Sequence, residues 1–371
     1  MLRQTKQQPF VYIKKTNILC TIYEIRSEPT TLGGAIGITP NGLRLLDRLG
    51  VSDELHKYGS DHVKISMHSI GGSLLGQQDL IGPAREMTGF GYLRIKRTDL
   101  QKVMTDAVDK ARIPIHYNKR ITSIKDTTDG VEVTFSDGTV DTGDFLLGCD
   151  GIHSTVRKLH VDPEQAPEYT GMAALGALIS ASSLSEAATS QIRGMNITFT
   201  EEGTLLAMTC SASNDEFFWA FSKEVPLPDS GDARDGWEVR RKEEVDGFKS
   251  SLLDILKNAG GEWGDVMRQL VENTSVVKFY PTYKLPLDRP WNKGRCLLLG
   301  DAAHAMPPHA GQGVSMALED VFLLSRMLEN EPKSLPDTFQ KFSEIRRPGL
   351  MSWLADLLKM ERSEGRRDLG V

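Results

Sequence analysis

Absences bound this chain first. It has four cysteines (Cys20, Cys149, Cys210 and Cys296) and no CxxC pair, which argues against a disulfide framework or a zinc ribbon and fits a reducing compartment. No apolar run approaches the roughly 20 residues a membrane span needs. The formal charge of -6 gives no basic surface for nucleic acid or an anionic membrane. Together these point to a cytoplasmic protein. No GxSxG hydrolase elbow, internal repeat or low-complexity segment is present. The first 23 residues contain no acid and the first 32 no glycine. That basic start faintly resembles a transit peptide, but ILCTIYE, residues 18–24, reads as folded core soon after.

What is present describes an ordinary globular chain. It has 371 residues, 39% hydrophobic and 25% charged, enough for two domains or one composite one. TPNGLRLLDRLG predicts a short helix: Thr39 as cap, Pro40 in the first turn, Leu43, Leu46 and Leu49 on one face, Gly50 as stop. RTDLQKVMTDAVDKAR is amphipathic, with Leu100, Val103, Met104, Ala107, Val108 and Ala111 at helical spacing. IPIHY, RITSI and GVEVTFSDGTV read as short strands, with Asp137-Gly138 as a hairpin turn.

From about 165 to 285 the texture changes. GALISAS, NITFTE, TLLAMTCSAS and EFFWAFS read as longer antiparallel strands, and VDGFKSSLLDILKNA and EWGDVMRQLVEN as helices. RCLLLGD then returns as a buried strand, followed by a long helix in QGVSMALEDVFLLSRML and a helical C-terminal part. The order, α/β then β-rich then α/β, is that of a β-rich region inserted into a nucleotide-binding fold. The expected divisions are 1–165, 166–285 and 286–371.

The strongest chemical signal is RCLLLGDAAHAMPPHAGQGVSMALED, Arg295 to Asp320. An apolar strand ends at Gly300-Asp301, a loop of small residues and proline follows, and a helix starts near Gly313. A carboxylate at the carboxyl end of a parallel strand accepts hydrogen bonds from a sugar or polyol. The helix start offers free N–H groups to an electron-rich ring edge, and glycine lets a ring approach closely. His304 and His309 sit in the same loop, but two histidines without a third ligand fall short of a zinc site, so no metal is expected.

These residues resemble the flavin-binding motif of FAD-dependent monooxygenases of the para-hydroxybenzoate hydroxylase type. FLLGCDGIHSTVRK, Phe145 to Lys158, resembles the Asp-Gly motif of that family. The resemblance implies that Asp150, Gly151, Ser154 and Arg157 lie near the FAD pyrophosphate and the path of the nicotinamide. Glu24 resembles the acid that binds the adenosine ribose. GGAIGI, Gly33 to Ile38, resembles the loop touching the flavin, which brings in Ala35 and Gly37. Arg97 resembles the arginine that contacts FAD. Asp301 would hold the ribityl chain, and Gly313 and Val314 would meet the ring through their backbone. The implied fold is α/β: a Rossmann-type FAD-binding region, an inserted β-rich substrate region and a helical C-terminus. The implied reaction uses NADPH or NADH, O2 and FAD to hydroxylate or epoxidise an aromatic or other electron-rich small molecule. The substrate would lie between the flavin ring and the sheet of 165–285, with Phe217, Phe218 and Trp219 as lining candidates and core residues as the plainer reading.

One family feature has no counterpart. The family opens with a strand, GxGxxG and a helix, yet FVYI and ILCTIY are separated only by KKTN. They suit an antiparallel hairpin, because a parallel crossover needs about a dozen residues. Charge-assisted hydrogen bonds contribute roughly 1.5–3 kcal/mol each, and a nanomolar site totals about 12 kcal/mol. Losing two or three of them predicts micromolar FAD binding at best. An incomplete or misassembled form of an active enzyme and a degenerate, non-catalytic relative both fit. The intact motifs at Asp150 and Asp301 favour the former. An FAD oxidoreductase without oxygen insertion is the other alternative.

Overall fold

The computed structural model describes residues 18–29, 34–62, 64–79, 81–226, 247–274, 277–307, 311–329 and 334–367, with side chains as far as 352. The segment FVYI and residues Gly33 and His309 lie outside the described residues. The chain divides into two compact units: Met1–Pro29, Met104–Glu168 and Lys284–Val371 in the first, Thr30–Val103 and Tyr169–Tyr283 in the second.

The first unit is organised by two apolar segments that are buried because they run through its centre. Leu146–Gly148 and Cys296–Leu298 pair in parallel, Leu147 opposite Leu297, and Asn292–Lys293 adds an antiparallel edge. Cys296, Leu297 and Leu298 are fully buried, and burying each leucine side chain contributes roughly 1.5–3 kcal/mol. Ile22–Tyr23 pairs in parallel with Ile115–His116, and Ile22 joins the same core. Ile121–Asp126, Val131–Phe135 and Val140–Gly143 form the expected meander, with Gly138 at φ 81° in its turn. Helix Gly313–Glu329 buries Met316, Leu318, Val321 and Leu324, and helix Leu335–Arg367 buries Phe339 and Phe342.

The second unit is built on a seven-stranded mixed sheet. Its order is Lys278–Lys284, Glu168–Ser180, Glu216–Glu224, Gly203–Thr209, Met195–Phe199, Lys64–Ser69, Leu74–Asp79. Strand alternation separates the faces. Phe217, Trp219 and Phe221 join the core with helix Gly261–Glu272 and the helical residues 247–256. Phe218 points the other way and packs with Ala35, Met208 and Cys210. Of the three aromatics named as lining candidates, Phe217 and Trp219 are therefore core. Trp219 is anchored there by its Nε1–H, which donates to Thr274 Oγ1 at 2.9 Å.

Helix Pro40–Leu49 forms as expected, with Gly50 in the left-handed region at φ 77°. Thr39 occupies the cap position, but its hydroxyl donates to Asn41 Oδ1 at 2.6 Å and does not cap the backbone. The sequence reading grouped residues 30–103 with the nucleotide-binding part, whereas the compact units group them with the sheet. The physical reasons are the long-range parallel pairing of Ile65 to Ser69 against Met195 to Phe199, which inserts the 64–79 hairpin as two further strands, and the packing of Ala35 against Met208 and Phe218. Among the described residues no helix is long and apolar enough to cross a membrane.

Candidate functional site

In the first unit the two expected motifs meet at the carboxyl ends of neighbouring parallel strands, where ligands bind in open α/β sheets. Leu299 N–H donates to Gly148 O at 3.1 Å, extending the ladder to the point where both chains turn. Gly151 takes φ 76° after one strand and Gly300 φ 57° after the other.

Asp150 is occupied by its own turn. Its carboxylate accepts Ser154 Oγ–H at 2.5 Å, Thr155 N–H at 2.5 Å and Val156 N–H at 3.2 Å, so it caps the helical turn that follows. Arg157 is fully buried and ties the two loops together. Its guanidinium donates to Ala302 O at 2.8 Å and to Ile152 O. Burial lowers the Arg157 pKa, and Asp150 and Asp162 partly counter that.

Asp301 behaves differently. It is exposed, and its carboxylate has no hydrogen bond or ion pair among the described residues. It faces the start of helix Gly313–Glu329: a Cβ added to Gly313 would lie 3.9 Å from Asp301 Oδ1. Gly313 is exposed and Val314 half-buried, with Gly311 at φ 61° before them. A free carboxylate and the unpaired N–H groups of a helix start thus adjoin. One offers acceptors to hydroxyls and the other donors to an electron-rich edge.

Behind this surface sits a buried cluster that sequence reasoning missed. Asp320, with no exposed surface, accepts Gly300 N–H at 2.8 Å and contacts His304 Nε2 at 2.7 Å with Oδ2; Oδ1 accepts Arg346 Nε–H at 2.7 Å. Burial pushes its carboxyl pKa up, but His304 and Arg346 outweigh that and hold it below the usual range. Trp291 covers His304, ring centroids 5.3 Å apart. Asp320 lies within the quoted motif. One signal could have found it: helical spacing puts it on the face of Met316 and Leu324, both buried.

Glu24 ends its strand as expected. It is buried, and its carboxylate accepts Arg26 N–H at 3.0 Å. Elsewhere in this unit Asp126, His160 and Cys296 bring ligand-type atoms within 4.8 Å of one another. Asp126 already accepts His160 Nε2–H at 3.1 Å and Arg295 N–H at 3.0 Å through one oxygen. Burial, then Asp126, push the Cys296 thiol up to about 12. A hydrogen-bonded cluster accounts for these contacts.

The second unit holds the other expected residues. Ala35–Ile38 pairs antiparallel with Leu93–Lys96, setting Ala35 opposite Lys96 and Gly37 opposite Arg94. A Cβ at Gly37 would fall 1.5 Å from Tyr92 Oη, so a side chain there requires Tyr92 to move. Arg97 N–H donates to Gly34 O at 2.9 Å, and its half-buried guanidinium has no partner among the described residues. Arg94 is a second residue that sequence reasoning missed. It is 1% exposed and donates to Thr209 O at 3.0 Å, His62 O at 2.6 Å and Thr209 Oγ1 at 3.2 Å. Burial lowers its pKa to about 10. The ribbon is also tied to the sheet by Lys96, which pairs with Glu216 at 2.5 Å and Asp99 at 3.3 Å.

This arrangement has a family. The FAD binding domain model matches residues 14–248 and 281–348. The chain belongs to the FAD binding domain family. It is therefore a flavin-dependent oxidoreductase of the class A monooxygenase type. It is 29% identical over 317 residues to 6-hydroxynicotinate 3-monooxygenase of Pseudomonas fluorescens, covering 83% of this chain and 76% of that one. It is 29% identical over 320 residues to the FAD-dependent urate hydroxylase of Klebsiella oxytoca, covering 85% and 76%. Among solved structures, Klebsiella pneumoniae HpxO with FAD and uric acid superposes with a TM-score of 0.77 at 24% identity, covering 92% of this chain and 81% of that one. That likeness shares the fold. In the first unit the residues present suit the cofactor: Asp301 is unpaired among the described residues, and Gly313 beside it carries no side chain.

Proposed function

We propose that this FAD-dependent hydroxylase uses NADPH or NADH and O2 to hydroxylate an aromatic or other electron-rich small molecule. The carrying observation is the exposed, unpaired Asp301 carboxylate at a parallel strand end, against the glycine start of a long helix. FAD, when bound, supplies the redox chemistry that activates oxygen. The chain's own task is to hold and orient it. Asp301 accepts hydrogen bonds from the ribityl hydroxyls, and Gly313 and Val314 present backbone N–H groups to the ring. Arg97 offers a free guanidinium to the anionic part of the cofactor, and Glu24 serves the adenosine ribose. Asp150, saturated within its own turn, acts by shaping that turn with Gly151.

For the substrate we propose the sheet face opposite the helices. It carries half-buried Leu178, Met195, Leu206 and Ala220 around Met208 and Phe218. An apolar, sulfur-rich face suits a flat aromatic ring and excludes water. The substrates named for the relatives are ring compounds, which supports this class. The test is NAD(P)H oxidation by the FAD-loaded chain against a panel of hydroxylated aromatics under labelled O2. The reading predicts substrate-stimulated oxidation with one labelled oxygen in the product. Stimulated oxidation with an unlabelled product would instead establish an oxidoreductase without oxygen insertion.

A further inference from the structure

We infer that Asp320 is a positioning residue for the cofactor: a sealed carboxylate that fixes the Gly300 turn and thereby aims Asp301. The inference rests on the reading of Asp301 as a flavin-holding group. Asp320 itself touches no solvent, so it cannot meet a ligand. What it holds is the backbone immediately before Asp301. Gly300 stands at φ 57° and ψ -139°, a conformation that side chains other than hydrogen rarely adopt. A Cβ there would also lie 3.1 Å from Ala317 Cβ. In this conformation the Gly300 N–H turns away from the strand ladder and donates to Asp320 Oδ2 at 2.8 Å.

The other two contacts orient the carboxylate itself. His304, at the end of the short helix that Asp301 begins, shares Oδ2 with Gly300. Arg346, on the C-terminal helix, takes Oδ1 through Nε–H, while its Nη2 reaches both Met316 O at 3.0 Å and Glu319 Oε2 at 2.8 Å. One side chain on helix Gly313–Glu329 therefore links three points: the strand end before Asp301, the loop after it, and a distant helix. The helix that carries Asp320 is also the one whose first residue faces Asp301. Asp320 thus sets the carboxylate and the helix start relative to each other. A helix-anchoring contact alone would be served as well by apolar packing, which avoids burying a charge.

Coupling separates this role from a merely structural one. FAD affinity is measured by flavin fluorescence for the wild type, Asp301→Ala, Asp320→Asn and the double variant, with a melting curve for each. The expected result is at least a tenfold weakening by Asp320→Asn in the wild-type background and less than twofold in the Asp301→Ala background. The same fold-change in both backgrounds would show that Asp320 acts through general stability and overturn the inference. Should Asp320→Asn fail to fold, Asp320→Glu keeps the charge and displaces the carboxylate; it is expected to melt near the wild type while showing the same coupled loss. An Asp320→Glu variant with wild-type FAD affinity would also overturn it. An unchanged affinity in Asp301→Ala rejects the Asp301 reading, and this route with it. A weakened Asp301→Ala beside an unaffected Asp320→Asn rejects the positioning role alone.

Discussion

At the scale of single residues, two aspartates of one motif do opposite things. Asp301 is exposed and unpaired among the described residues; Asp320 is sealed and saturated. The second has a pH signature. Its carboxyl pKa lies below the usual range in the folded state, so its stabilisation is fully present above the unfolded value of about 4. It is lost as pH falls through the folded value. Asp320→Asn should therefore lower stability at pH 7, by up to about 3–5 kcal/mol, because buried His304 loses its anion while Arg346 keeps only Glu319. The stability gap to the wild type should narrow as pH drops below about 4. Denaturant titrations at pH 7 and at acid pH check this; a gap that stays constant would remove Asp320 as the titrating group. The exposed carboxylate was legible in the sequence because a Gly-Asp after an apolar strand has a local explanation. The buried one was not, because its partners lie 16, 20 and 26 positions away.

At the scale of elements, the ribbon of Ala35–Ile38 and Leu93–Lys96 shows how tightly a short pair can be specified. Tyr92 Oη occupies the space a side chain at Gly37 would need. Gly37→Ala should cost about 1–3 kcal/mol, as overpacking does. The same change should cost less than about 1 kcal/mol once Tyr92→Leu has removed the hydroxyl and ring. Equal costs in the two backgrounds would show that the clash is relieved some other way. Elements with a local signature were readable: the helix stopped by Gly50, the amphipathic helix Arg97–Lys110, and the turn at Gly138. The pairing of Lys64–Ser69 with Met195–Phe199 was not. It joins segments more than a hundred residues apart, and neither carries a pattern that names the other. The grouping of residues 30–103 with the sheet follows from that ladder together with the ties of Arg94 to Thr209 and Lys96 to Glu216. Arg94 belongs to the same blind spot: in sequence it is one cation in YLRIKR, in the fold the buried donor to Thr209 and His62.

At the scale of the whole molecule, the Asp-Gly and Gly-Asp loops form one connected surface in the first unit. Parallel strands, the Arg157 bridge and the Asp320 cluster join them. The second unit carries Arg97, with no partner among the described residues, a ribbon in which Tyr92 fills the space beside Gly37, and an apolar sheet face. The chain as a whole belongs to the FAD binding domain family. The measurement that tests this account most directly is a titration of the purified chain with FAD, followed by its visible spectrum at equilibrium, for the wild type and Asp301→Ala. The account predicts saturable binding with a perturbed flavin spectrum in the wild type and at least tenfold weaker binding in Asp301→Ala, with both melting alike. Equal affinities of the two proteins would contradict it.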